Sequence, residues 1–277
     1  MKTLETIYAF GRQELRAAKI EEADLDAWYL LEHVTGVTRA SYYVNPGREL
    51  TEDEVQNYQA GIQKRAARIP LQHIIGKTEF MGLDFFVNEN VLVPRQDTEV
   101  LVEHVMSRAD GKDILDLCTG SGCIIISLAK LCHIKSATAV DISEKALEVA
   151  KRNVANQEVN VTLIQSDLFE KVEGKFDVIV SNPPYIPTKD IEELMPEVKD
   201  HEPMLALDGM EDGLYFYRKI VDQAEQYLKP CGEIFMEIGY DQGEDLIQLL
   251  EQKKFTNVKV FKDLAGLDRV VYGKLQA

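Results

Sequence analysis

Hydrophobic positions along this chain change their period once. Up to about residue 70 they recur at helical spacing. Ala27, Leu30, Leu31 and Val34 stand at i, i+3, i+4 and i+7 and so share one helical face. Thr51-Glu52-Asp53-Glu54 has the pattern of a capping box, in which a hydroxyl and a carboxylate satisfy free N–H groups at a helix start. The helix it opens carries Val55, Tyr58, Ile62 and Ala66 on one side and ends before Pro70. No stretch here alternates convincingly as a strand does, so residues 1–72 are expected to form a small helical domain.

The pattern then becomes that of strands. His73–Val87 is β-rich, with Gly82 placed to turn a hairpin, and 73–95 is expected to be a hairpin linker. From Asp97 onward strands and helices alternate. Strands are predicted at 114–117, 136–141, 161–165, 176–181 and 233–238, with closing strands near 258–261 and 269–273. Helices are predicted at 123–131, 143–156, 213–228 and after Asp241. This alternation predicts an α/β domain over 96–277, a seven-stranded, mostly parallel, Rossmann-like sheet covered by helices on both faces. Ligands of such sheets bind at the carboxyl ends of the strands.

Composition narrows the class. The 277 residues are 45% hydrophobic and 28% charged, which is that of a soluble globular protein. The N-terminus lacks the basic-then-apolar layout of a signal peptide, and no apolar run reaches membrane-spanning length, so a cytoplasmic protein is expected. The net charge of −16 argues against broad binding to duplex DNA, which needs Lys and Arg on phosphates. Cys118, Cys123, Cys132 and Cys231 form no CxxC pair, so they are read as small buried apolar side chains, with neither metal nor disulfide framework expected. His104 is read as a partly buried structural residue.

Four strand ends carry candidate chemistry. After the first strand, Asp116-Leu117-Cys118-Thr119-Gly120-Ser121-Gly122 lets backbone and a helix N-terminus approach a ligand. It is neither a complete GxGxxG nor a phosphate loop. The next strand ends in Asp141, where a carboxylate can accept from both hydroxyls of a ribose. The third runs into Asp167-Leu168, which could receive an exocyclic amine. With no phosphate-binding lysine, these describe a pocket for a nucleoside without polyphosphate. The fourth ends in Asn182-Pro183-Pro184-Tyr185. There the Asn182 side-chain carbonyl and the Pro183 backbone carbonyl make two adjacent acceptors, Tyr185 can stack over a planar group, and the prolines fix the geometry in advance. Such a clamp suits a planar –NH2. A methylated amide, a methylated adenine amine and a non-enzymatic nucleoside sensor all remain open on this ground. Residues 1–85 carry 10 basic and 13 acidic side chains, a balance of −3 that favours a protein substrate over a flipped base.

With these residues in hand the chain resembles the class I S-adenosylmethionine-dependent methyltransferases. Within them it is similar to the N5-glutamine methyltransferases of class I peptide chain release factors. The matching stretches are PLQHIIGKTEFMGLDFFV (70–87), VLVPRQDTEVLV (91–102), DLCTGSGCI (116–124), AVDIS (139–143), SDLF (166–169), IVSNPPYI (179–186) and EPMLALDGMEDGLYFY (202–217). NPPY alone is shared with enzymes acting on adenine or on glutamines of other proteins, ribosomal ones included. VPRQDTE and a helical N-terminal domain narrow it. The resemblance implies S-adenosylmethionine bound by Cys118, Thr119, Gly120, Ser121, Gly122, Asp141, Asp167, Leu168 and Asn182. It implies an acceptor glutamine held by Asn182, Pro183, Pro184 and Tyr185, with Asn182, Pro183 and Tyr185 catalytic. The helical domain would dock the release factor, whose Gly-Gly-Gln loop enters the pocket, in support of translation termination. Direct nucleic-acid binding is not expected. The family usually has glycine where this chain has Cys118, and an ordinary φ is expected at that cysteine.

Overall fold

The computed structural model describes residues 2–276, in two compact units. The first runs to Gly76 and includes Met195–His201; the second comprises Lys77–Leu194 and the chain from Glu202 onward.

The first unit is helical, with α1 (Leu4–Ala17), α2 (Ala23–Thr35), α3 (Arg39–Val44), α4 (Glu52–Ala66) and α5 (Leu71–Ile75). The capping box is formed as its sequence predicts: Thr51 Oγ1 accepts from Glu54 N at 3.1 Å, and Glu54 Oε2 accepts from Thr51 N at 2.9 Å. Ala27, Leu30, Leu31, Tyr58 and Ile62 are buried together in its core. Arg65 is buried too. It donates to Asp26 Oδ2 at 2.7 Å and to Glu197 Oε1 at 3.0 Å, while Arg68 donates to the same Glu197 oxygen at 3.1 Å. Burial by itself would raise the Glu197 carboxyl, but its own backbone N–H and the two guanidinium groups outweigh that and hold it below the usual range.

One sequence expectation changes at the end of this unit. His73–Ile75 is helical rather than extended. Pro70 supplies a fixed φ of −52° before the helix and Gly76 closes it at φ 78°, so local punctuation overrides the β-branched residues. The hairpin therefore starts at Lys77, with β1 (Lys77–Phe80) and β2 (Leu83–Phe86) joined by Met81 and Gly82 at φ 51° and 71°. Glu99 accepts from Met81 N at 2.6 Å and holds that strained turn.

Then follow α6 (Gln96–Met106), β3 (Asp113–Leu117), α7 (Cys123–Leu131), β4 (Ser136–Asp141), α8 (Glu144–Gln157), β5 (Thr162–Gln165) and β6 (Phe176–Ser181). After a 3-10 turn come α9 (Pro196–Lys199), α10 (Met204–Leu207), α11 (Tyr215–Tyr227), β7 (Leu228–Glu237), α12 (Gly243–Glu251), β8 (Phe255–Lys262) and β9 (Asp268–Leu275). Seven strands form one sheet in the order β5-β4-β3-β6-β7-β9-β8, all parallel except β9, which is antiparallel to both β7 and β8.

Successive residues of the central strands enter opposite cores. Leu115, Leu117, Ile179, Ile234 and Met236 pack on one face with α11 and α12. Ile114, Val178, Val180 and Phe235 pack on the other with α6 and α7. Burial on both faces is why these strands read as unbroken apolar runs. The chain leaves β3 outward to β4 and β5 and returns on the other side as β6, so the order reverses between β3 and β6. At that switch point Leu117 pairs with Ser181, and the two loops that follow them start side by side. Among the described residues, no helix is long and apolar enough to cross a membrane.

Candidate functional site

The loop from β3 to α7 must turn a strand into a helix within five residues. Cys118, Gly120 and Gly122 all have positive φ, at 58°, 55° and 81°. Cys118 therefore departs from the ordinary φ expected of it. The position makes the left-handed turn for which glycine is suited, and cysteine takes it at a cost of about 1 kcal/mol. Its neighbours hold it there: Thr119 N donates to Val140 O at 2.9 Å, and Gly120 N donates to Asp141 Oδ2 at 2.8 Å. Burial pushes the thiol up, and the carboxylates of Asp141 and Asp116 add to this. At Gly122 the φ of 81° is a backbone conformation that favours glycine. The reading of all four cysteines as buried is also corrected. Cys123 is buried, but Cys118 and Cys132 are half-buried and Cys231 is exposed. His104 is partly buried and stacks on Phe261 at 3.8 Å.

Asp141 both shapes the loop and faces the cavity beside it. Its Oδ2 accepts from Gly120 N at 2.8 Å and its Oδ1 from Ser143 N at 2.9 Å, leaving a further lone pair on each oxygen. Burial raises this carboxyl against those bonds. Asp116 is fully buried beneath the loop, where its Oδ2 accepts from Thr119 Oγ1 at 2.6 Å. Burial pushes it up to about 7. At the next strand end Leu168 has φ 47°, and Asp167 meets Lys219 of α11 at 3.4 Å.

Asn182 follows β6. Its Nδ2 donates to Thr98 Oγ1 at 3.4 Å. The next residues are locked from behind. Gln242 donates to Tyr185 O at 3.0 Å, Ile186 N donates to Leu207 O at 3.1 Å, and Gly209 N donates to Ile186 O at 2.8 Å. A Cβ on Gly213 would lie 2.3 Å from Tyr185 O, and one on Gly209 would lie 2.8 Å from Tyr185 Cα. Backbone passes so close here that only glycine fits. Among the described residues no hydrogen bond reaches the Pro183 carbonyl, which leaves it free to accept.

These elements surround one cavity of about 310 Å³. Cys118, Thr119, Gly120, Ser121, Asp141, Asp167, Leu168, Asn182 and Pro184 line it. Gly122, Pro183 and Tyr185 adjoin these residues in the chain without lining it. The position of Tyr185 differs from the expectation that its ring lies over a bound planar group. The ring packs against the core and its hydroxyl donates to Glu237 Oε1 at 3.3 Å, because a buried phenol needs a partner and the carboxylate supplies one. Pro184 and Phe216 present the apolar surface in its place.

Sequence reasoning did not single out several residues of the site. Arg95 lines the cavity and grips Glu202 with one nitrogen, at 2.8 and 2.7 Å. Burial raises the Glu202 carboxyl, and Arg95 and Val93 N–H oppose this. Buried Asn153 ties the donor loop to the hairpin. It donates to Ser121 O at 2.9 Å and Phe86 O at 3.0 Å, and accepts from Phe86 N at 2.7 Å. Glu237 had one visible signal, a lone charge in the apolar run IFMEI (234–238).

The PrmC N-terminal domain family matches residues 6–76, and the methyltransferase small domain family matches residues 95–198. The release factor glutamine methyltransferase of Geobacter sulfurreducens is 41% identical over 275 residues, covering 99% of this chain and 97% of that protein. Among solved structures, a Pyrococcus furiosus methyltransferase superposes with a TM-score of 0.54 at 20% identity, over 80% of this chain and 100% of that one. A Thermus thermophilus 16S rRNA N2 G1207 methyltransferase, in complex with AdoMet and guanosine, superposes with a TM-score of 0.51 at 18% identity, over 72% and 50% of the two chains. The two structures share the methyltransferase fold with this chain. Matched over nearly its whole length, the chain belongs to the release factor glutamine methyltransferase family.

Proposed function

We propose that this protein transfers a methyl group from S-adenosylmethionine to the side-chain nitrogen of the glutamine in the Gly-Gly-Gln loop of class I peptide chain release factors, in the cytoplasm. The observation that carries this reading is that Asn182 opens onto the same 310 Å³ cavity as the loop Cys118–Ser121, Asp141 and Asp167. The residues fit the donor. Asp141 keeps lone pairs for two ribose hydroxyls, Asp167 faces the place of an adenine amine, and the open backbone at Gly120 lets the methionine part approach. When bound, S-adenosylmethionine supplies a methyl group activated on a sulfonium sulfur.

The chain does the rest by position and polarity. An amide nitrogen is a poor nucleophile because its lone pair is delocalised into the carbonyl. Asn182 Oδ1 and the Pro183 carbonyl accept its two N–H groups and stabilise the positive charge that develops on nitrogen. They also hold the nitrogen on the axis of transfer, where effective concentration is large. Tyr185, fixed by Glu237 and Gln242, keeps the clamp in place, and the surplus proton passes to solvent. The helical unit docks the release factor.

The test incubates the protein with labelled donor and one of three acceptors: a class I release factor, the same factor with its loop Gln replaced by Ala, or DNA. Label is expected only in the unaltered factor. Label in DNA alone, or equal label in both factors, would refute the proposal.

A further inference from the structure

We propose that one face of the helical unit, built on Tyr42, Tyr43, Arg12 and Arg39, is the docking surface for an acidic segment of the protein acceptor. This rests on the reading that the helical unit holds the release factor, and it adds where that happens and by what chemistry.

Three rings form the floor of this face. Tyr8 of α1, Trp28 of α2 and Tyr42 of α3 meet edge to face. Their centroids are 5.8 Å apart for Tyr8–Trp28, 5.8 Å for Tyr8–Tyr42 and 5.5 Å for Trp28–Tyr42. Edge-to-face contacts of this kind fix the rings against one another. Trp28 is buried, and Tyr8 and Tyr42 are half-buried. Tyr43 meets Tyr42 at 5.6 Å and is 75% exposed, and Val44 after it is 86% exposed. Large apolar side chains left uncovered on a rigid floor mark a contact surface.

The arginines indicate what covers it. The helical unit holds six arginines. Arg16 pairs with Asp24, Arg48 with Glu54, Arg65 with Asp26 and Glu197, and Arg68 with Glu197. Arg12 and Arg39 form no ion pair among the described residues. They rest on the rings instead, Arg12 over Tyr8 at 4.7 Å and Arg39 over Trp28 at 5.1 Å. A guanidinium over a ring uses its face and keeps its N–H edge for another partner. Arg12 Nε is buried with no hydrogen-bond partner among the described residues, a cost that nothing in this chain offsets. Asp24 is at hand, since its backbone carbonyl accepts from the Tyr8 hydroxyl at 3.1 Å, but its carboxylate is taken by Arg16 at 2.6 Å.

In a chain of net charge −16, two arginines without carboxylates on an aromatic floor complement a segment that brings its own. The acidic groups of that segment bond to Arg12 and Arg39, and an apolar side chain rests on Tyr43 and Val44. Single-stranded nucleic acid also stacks on exposed rings, but it needs a groove of basic groups along its backbone. The balance of −3 over residues 1–85 favours the protein segment.

The experiment compares wild type, Arg39→Glu and Tyr43→Ala with a class I release factor as acceptor. It reads acceptor KM, kcat, donor Kd by titration, Tm, and the Kd of a labelled oligouridylate. Arg39→Glu is expected to raise the acceptor KM about tenfold or more, with kcat and donor Kd within about twofold of wild type. Tyr43→Ala should raise KM about threefold to tenfold. Both side chains are exposed, so Tm should hardly move. Raising the salt should close most of the gap between wild type and Arg39→Glu, because screened charges no longer tell them apart. A parental KM in both variants overturns the proposal. So does a KM rise matched by an equal loss of donor affinity or by a lower Tm in both, which would assign these side chains to the fold. Oligouridylate binding that Arg39→Glu abolishes at a parental KM overturns it in favour of nucleic acid. A wild type that leaves the release factor unmethylated refutes the proposed function itself, and the docking proposal with it, an outcome that shows before any variant is made.

Discussion

Between Cys118 and Gly122 the cavity wall is one short loop, shaped by its own glycines and by the next strand end. Between Asn182 and Ile186 the wall is held by three distant stretches, around Thr98, from Leu207 to Gly213, and from Glu237 to Gln242. The donor side is thus locally encoded, and the acceptor side is propped from behind. A nucleoside brings its own rigid shape and many polar groups, so a loop with two carboxylates can hold it. A side-chain amide offers only two N–H groups, and their acceptors must stand still before it arrives.

This contrast breaks most sharply at Asn182. Asn182→Ala should lower turnover at least about 10²–10³-fold, while donor affinity measured by titration stays at the parental value. Comparable turnover in the variant would mean that the clamp is elsewhere. Next in size is Asp141→Asn. It should weaken donor binding roughly tenfold to a hundredfold, because bonds to a charged acceptor contribute about 1.5–3 kcal/mol. Its kcat at saturating donor should change little, the reverse of the Asn182 result.

Two glycines give a smaller effect of the same kind. Gly213→Ala drives a Cβ to within 2.3 Å of Tyr185 O at a φ of 74°. It should cost about 2–3 kcal/mol in urea unfolding and raise acceptor KM. Gly120→Ala meets no protein atom within 4 Å, so only its φ of 55° matters for folding. Its cost should be about 1 kcal/mol. Equal losses at the two positions would erase the distinction between a propped wall and a local one. Smallest of all, Cys118→Gly should raise stability by up to about 1 kcal/mol, since glycine takes φ 58° without a Cβ penalty.

Much of the second unit was legible beforehand because its signals are local. The strands Ser136–Asp141 and Phe176–Ser181 and the helix Cys123–Leu131 stand at the predicted residues. Both faces of the sheet are buried, so those strands are plain apolar runs bounded by polar turns. The segment before the hairpin was misjudged. His73-Ile74-Ile75 has β-prone residues, but Pro70 and Gly76 close a helical turn around them. Tyr185 was placed over the substrate on the strength of its aromatic ring, and the deciding factor was a buried carboxylate 52 residues further along the chain.

By itself the sequence determined which chemical groups stand at the strand ends. Asp141, Asp167, the glycine loop and Asn182 owe their places to the periodicity of the strands and to prolines that cannot continue a ladder. Tertiary structure alone decided how those groups are aimed. The order of the sheet puts the loop after Leu117 beside the loop after Ser181. Packing forces Cys118 into a left-handed turn and draws Tyr185 back to Glu237. The fold also brings Thr98, 84 residues away in the chain, to the amide of Asn182. Strand ends follow from energies within a few residues. Aim follows from hydrogen bonds between residues that share nothing until the sheet has closed.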